Sequence, residues 1–203
     1  MRAIEIVFEG QKNLSPMALV DLLVENPVIA ALRAEEHLEN IVACKAQVVF
    51  LLSGNICNIE QVVARLHGVG KTVFIHVDLI EGLRCDASGM DFIAKKVAPT
   101  GIISTRPTII RLAHQAGLRT IQRAFMLDTV ALKTSLQNTV SCQPDLIEIL
   151  PGICPEIIDM VRRQTKTPII AGGFFHNKKN LIAALKAGAL AVSTSDKALW
   201  AEG

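Results

Sequence analysis

Eight short runs rich in Val, Ile and Leu recur along the chain, and stretches with helical spacing separate them. The runs are 27–33 (PVIAALR), 47–54 (QVVFLLSG), 71–78 (KTVFIHVD), 101–104 (GIIS), 118–125 (LRTIQRAF), 144–152 (PDLIEILPG), 168–171 (PIIA) and 190–192 (LAV). Continuous apolar runs, as opposed to alternating ones, mark strands buried on both faces. Strands joined by helical crossovers are parallel. Eight such units in 203 residues fit an α/β fold of the compact (β/α)8 TIM-barrel type, near the short end of its range of ~200 to >400 residues. An open doubly wound sheet is the competing reading. Against it, the first strand runs into Arg33-Ala34-Glu35 and not into the Gly-rich phosphate loop that such a sheet places there. The chain is read as one domain, residues 1–203.

The helical stretches carry their own punctuation. Residues 14–25 (LSPMALVDLLVE) open with Ser15 as N-cap and Pro16 at the first helical position, and predict a lead-in helix closing the bottom of the barrel. Further helices are expected over 34–45, 56–66, 86–97 (weakly patterned), from a Ser104 or Thr105 cap to about Gly117, and over 127–139, 155–163 and 181–187. Half the residues are hydrophobic and 20% are charged, which permits a sizeable core.

The composition also narrows the function. No apolar run reaches the roughly 18 residues of a transmembrane span, and Glu5 and Glu9 interrupt the N-terminus in a way that argues against a signal peptide. Five cysteines, Cys44, Cys57, Cys85, Cys142 and Cys154, form no CxxC pair. They read as reduced thiols of a cytoplasmic protein. Tyrosine is absent and Trp200 is the sole tryptophan, which disfavours an aromatic platform for stacked bases. Residues 101–203 hold 12 basic and 7 acidic side chains, a balance of +5. That half can meet a nucleic acid or an anionic metabolite, or simply present solvated helix faces.

The residues at the strand ends carry the chemistry, because a barrel gathers them at one mouth. They include Arg33, His76, Asp78, Ser104, Arg106, Gln122, Arg123, Glu148, Gly152, Gly172 and Gly173, and Ser193, Thr194 and Ser195. Gly172 and Gly173 let the backbone approach a ligand closely. Ser193-Thr194-Ser195 is read as the start of a last short helix, with unpaired N–H groups and a positive dipole end. Two such turns, after strands 7 and 8, make a cradle for a dianion such as a phosphate ester.

Other readings compete. His76 and Asp78 have too few companions for a metal site and fit a supporting pair within the mouth better. Glu148 with His76 suits the base and electrophile of a sugar-phosphate isomerase or epimerase, yet a carboxylate paired to Arg106 or Arg123 is as natural. Lys71 and Lys166 stand at strand starts, which argues against a Schiff-base aldolase. His37, His67, His114 and His176 read as structural or exposed.

The blocks HVDLIEGL (76–83), GIISTR (101–106), IQRAFMLD (121–128), EILPG (148–152), PIIAGG (168–173) and GALAVSTSDKALW (188–200) resemble the glycerol-3-phosphate-responsive antiterminator family. NPVIAALR (26–33) and VVFLLSGNICNIE (48–60) are weaker matches in the same register. The resemblance implies a barrel and a transcriptional regulator that is not an enzyme and uses no cofactor or metal. Such a regulator binds glycerol 3-phosphate and then leader mRNA of glycerol-utilisation genes, preventing termination. The twelve ligand positions taken from the strand ends are Arg33, His76, Asp78, Arg106, Gln122, Glu148, Gly152, Gly172, Gly173, Ser193, Thr194 and Ser195. No RNA motif carries over. On charge alone the candidates for RNA contact are Arg111, Arg119, Arg162, Arg163, Lys178 and Lys179. Homo-oligomerisation is compatible with this reading, and no membrane partner is expected.

Overall fold

The computed structural model describes residues 14–33 and 37–202. Its strands are β1 (Val28–Leu32), β2 (Val48–Leu51), β3 (Thr72–His76), β4 (Gly101–Ser104), β5 (Arg119–Phe125), β6 (Leu146–Leu150), β7 (Ile169–Gly172) and β8 (Ala191–Thr194). They pair in parallel in sequence order, and β8 returns to β1 to close the barrel. The expected (β/α)8 architecture is therefore present. Every residue of β1, β2, β3, β4, β7 and β8 is buried. One face of each strand meets the barrel interior and the other meets a helix, which is why the sequence shows no alternation.

The helices are α1 (Pro16–Glu25), α2 (Leu38–Ala43), α3 (Ile59–Gly68), α4 (Ala87–Phe92), α5 (Pro107–Gln115), α6 (Thr129–Cys142), α7 (Pro155–Arg162) and α8 (Lys178–Lys186). A 3-10 turn, Leu199–Glu202, follows β8. Ser15 caps α1 as expected, accepting a hydrogen bond from the Ala18 amide at 3.1 Å. Leu19 and Leu23 of α1 join the interior cluster of Ile29, Phe50, Phe74, Ile121, Leu146 and Ile170. α1 thus plugs the barrel floor, and the Phe50 and Phe74 rings meet edge to face at 5.9 Å above it.

Several local expectations change. The helix expected over 86–97 is α4 followed by a π-helical turn, Ile93–Val97, stopped by Ala98 at φ 50°. Ser104 and Thr105 do not cap α5. Arg106 takes the N-cap position without a side-chain cap bond; both hydroxyls donate to the carboxylate of Asp78, and Ser104 Oγ accepts from the Arg106 amide at 3.1 Å. α6 runs three residues past Thr139 and ends against Gln143 at φ 47°. Part of the helix expected over 34–45 lies outside the described residues, and α2 is the described part. The last two strands differ most. Ser193 and Thr194 belong to β8 itself, and the following helical turn begins only at Leu199, so no helix dipole starts at these residues.

All five cysteines are free thiols. Among the described residues no helix is long and apolar enough to cross a membrane.

Leu23 is fully buried in the floor cluster. Leu23→Ala should cost about 2–5 kcal/mol of stability, read as a lower urea midpoint. Ligand titration at the opposite end should be unchanged.

Candidate ligand site

Along four strands the interior turns from apolar to polar in a single inward step. Phe74, Ile121, Leu146 and Ala191 belong to the apolar floor, and His76, Arg123, Glu148 and Ser193 stand two residues further toward the mouth. On β7 the same step leads from Ile170 to Gly172. Buried polar groups require partners, and here they find one another. Glu148 has no exposed surface. Its Oε2 accepts from Arg123 Nε at 2.6 Å and its Oε1 accepts from Ser193 Oγ at 2.6 Å. β5, β6 and β8 are thereby tied through one carboxylate. β7 contributes space: a Cβ on Gly172 would stand 2.7 Å from Glu148 Oε1 and 2.8 Å from Ser193 Oγ. Gly152 braces that strand end, its amide donating to the Gly172 carbonyl at 2.6 Å.

Above this layer lies a cavity of about 70 Å³ lined by Arg33, Arg123, Glu148, Gly173, Phe174, Phe175, His176 and Ser193 to Ser195, with Ala31, Leu52 and Leu150. It holds about five water-sized groups at roughly 10–15 Å³ each, the scale of a small polar ligand. Gly173 at φ 88° and Phe174 at φ 65° turn the chain over its edge. Thr194 Oγ1 donates to the Phe175 carbonyl at 3.1 Å, and Trp200 Nε1 donates to the Thr194 carbonyl at 2.8 Å. The loops after β7 and β8 are thus fastened to each other. With Glu148 neutralised by Arg123, Arg33 leaves the cavity with a positive bias, suited to an anion.

Beside this cluster, His76 is buried and its Nδ1 has no hydrogen-bond partner. Burial, and next the positive charge of Arg123, lower its pKa to about 4. It is neutral at pH 7, so its 4.0 Å approach to Asp78 is no ion pair. Asp78 is held apart from the cavity. Burial alone would raise its pKa. The Thr105 amide at 2.8 Å, the Arg106 guanidinium at 2.7 Å and the Ser104 hydroxyl at 3.0 Å outweigh that and hold it below the usual carboxylate range.

The profile of the glycerol-3-phosphate responsive antiterminator family matches residues 28–200. The chain belongs to this family. It is 34% identical over 184 residues to the uncharacterized protein YgcP of Escherichia coli K12, covering 91% of this chain and 96% of that one. The crystal structure of a glycerol uptake operon antiterminator regulatory protein from Listeria monocytogenes superposes with a TM-score of 0.83. The identity is 35%, over 87% of this chain and 95% of that one. A glycerol uptake operon antiterminator-related protein from Thermotoga maritima gives 0.77 at 30% identity, over 86% and 98%. Orotidine 5'-phosphate decarboxylase from Pyrococcus horikoshii, 18% identical over 85% and 90% with a TM-score of 0.64, shares the fold.

In this family member the structure sorts the twelve sequence candidates into groups. Arg33, Glu148, Gly173, Ser193, Thr194 and Ser195 line the cavity, with Gly172 and Gly152 directly beneath or beside it. His76 sits in the polar layer. Asp78 and Arg106 bind each other on the β3–β4 side. Gln122 points away from the mouth, since it accepts a hydrogen bond from Thr139 Oγ1 of α6 at 3.1 Å. Strand alternation explains this: Ile121 and Arg123 face inward, so Gln122 faces the helix. Two polar lining residues lie outside these twelve: Arg123, which the strand-end reading includes without a ligand role, and His176. The inward parity of Ile121 selects Arg123 over Gln122 as the cavity residue. His176 had only its place in the loop after the Gly-Gly pair.

His76 links stability to pH. Folded, it takes its proton only near pH 4; unfolded, near 6.5. Its contribution is therefore complete above pH 6.5 and lost as pH falls toward 4. Between those limits the wild type should lose about 3 kcal/mol more than His76→Gln, measured by urea unfolding at each pH.

Proposed function

We propose that the mouth cavity binds glycerol 3-phosphate, that the protein is a regulator without catalytic activity, and that the liganded form binds leader mRNA to prevent termination. The observation that carries this reading is the cavity itself. It is small and biased positive, and it is bounded by the loops after β7 and β8, where barrels hold phosphate. Family membership supports the same ligand class. In this reading the Gly173 backbone, Arg33 and the end of β8 from Ser193 to Ser195 take the phosphate.

An isomerase or epimerase on the same barrel needs a carboxylate free to take a proton. Both oxygens of Glu148 are engaged, by Arg123 and by Ser193, which favours the sensor. Signalling follows from a population shift: a ligand that prefers one conformation raises the fraction competent for RNA. Among the basic residues weighed for RNA contact, Arg119 pairs with Asp145, and Arg162 and Arg163 pair with Asp159. These offer less unbalanced charge than their number suggests.

Calorimetric titration with glycerol 3-phosphate, glycerol and inorganic phosphate tests the ligand. Binding of the ester, none of glycerol, and loss of binding in Gly173→Asp are expected; ester binding that survives the introduced carboxylate would remove the site. Leader RNA affinity, measured at one fixed salt concentration because phosphate contacts are salt-dependent, should rise with glycerol 3-phosphate. Equal affinity with and without it would sink the switch.

A further inference from the structure

Arg123 is a cation set inside the mouth, with only 8% of its side chain exposed. Its Nε donates to Glu148 Oε2 at 2.6 Å. The N–H groups on Nη1 and Nη2 have no hydrogen-bond partner among the described residues, although the residue lines the cavity. Buried polar groups are nearly always partnered, and a guanidinium donates without accepting. The remaining donors of Arg123 therefore call for oxygen acceptors that enter the cavity.

The fork is held firmly in place. Glu148, which fixes Nε, is itself fixed by Ser193 Oγ at 2.6 Å. Gly172 keeps that carboxylate undisplaced, since a Cβ there would stand 2.7 Å from Oε1. A planar guanidinium bound at Nε presents its Nη edge in a defined direction. Donors ordered in advance bind a ligand without the cost of immobilising a long side chain.

Charge decides which oxygens they take. The Arg123 cation is already matched by Glu148. A phosphate dianion set against Nη1 and Nη2 would stand beside that buried carboxylate, and like charges repel strongly where the dielectric is low. Arg33, exposed just after β1, is the better placed cation for phosphate. Uncharged oxygens suit Arg123. Its fork favours two oxygens held close together, and hydroxyls on adjacent carbons are such a pair. Ala31, Leu52 and Leu150 give the carbons of such a ligand an apolar wall.

We propose that Arg123 is the specificity-determining residue of the cavity: Nη1 and Nη2 donate to the adjacent hydroxyl oxygens of a phosphorylated polyol, while the phosphate lies toward Arg33. The inference rests on the ligand reading above.

Calorimetric titration of the full chain with glycerol 3-phosphate and with n-propyl phosphate tests it. The second ester keeps the phosphate and the carbon chain and lacks both hydroxyls. The wild type should bind the glycerol ester roughly ten- to a hundredfold tighter, the worth of hydrogen bonds to a charged donor. Arg123→Lys keeps a cation against Glu148 but removes the fork. It should bring the two affinities together by weakening the glycerol ester alone. If Arg123→Lys melts below the wild type, the double variant Arg123→Gln with Glu148→Gln, which leaves no buried charge unpaired, should show the same convergence. A wild type that binds both esters equally overturns the role of Arg123 and leaves the phosphate site standing. A folded variant that weakens both esters alike, and so keeps their ratio, also overturns it and makes Arg123 purely structural. A wild type that binds neither ester removes the ligand reading, and this inference with it.

Discussion

A carboxylate without exposed surface is tolerated only when its charge and lone pairs are matched. Glu148 meets that condition with Arg123 on β5 and Ser193 on β8, and it excludes any side chain from Gly172 on β7. One charged group therefore sets side-chain identity on three other strands. The loops after β7 and β8 inherit their positions from it, and the cavity lies directly above. Removing either partner would leave a buried charge uncompensated, so the cluster holds the mouth in one arrangement.

The two ends of the barrel consequently differ in kind. The floor is apolar, edge-to-face aromatic and sealed by α1. The mouth is polar, with His76, Arg123, Glu148 and Ser193 replacing the floor residues after one inward step. On the β3–β4 side a second cluster, Asp78 with Ser104, Thr105 and Arg106, consumes its own charges. That leaves the positive bias of the cavity to Arg33. This division follows the general arrangement of such barrels, in which stability resides at one end and ligand chemistry at the other.

The candidate site was legible only in part. Strand ends and the Gly-Gly and Ser-Thr-Ser runs were visible because they follow apolar bodies directly. The choice between Gln122 and Arg123 depended on which of two neighbours faces inward. A strand buried on both faces gives no alternation to decide it. Ser104 or Thr105 fits a helix cap by local spacing alone. The Asp78 carboxylate, distant by more than twenty residues, takes both hydroxyls instead. His176 carried no local signal, and the fold alone brings it to the cavity edge.

The sequence by itself determined the barrel: eight apolar runs, each too short and too continuous for anything but a doubly covered parallel strand, and a capped helix to close the floor. It also determined family membership through long blocks in register. Tertiary structure alone decided which charges pair, which hydroxyls serve the cavity, and that β8 runs through Ser193 and Thr194 without starting a helix there. The reason is physical. Strand and helix formation answer to local periodicity, whereas the partner of a buried charge is chosen by whichever groups barrel closure brings within hydrogen-bond reach.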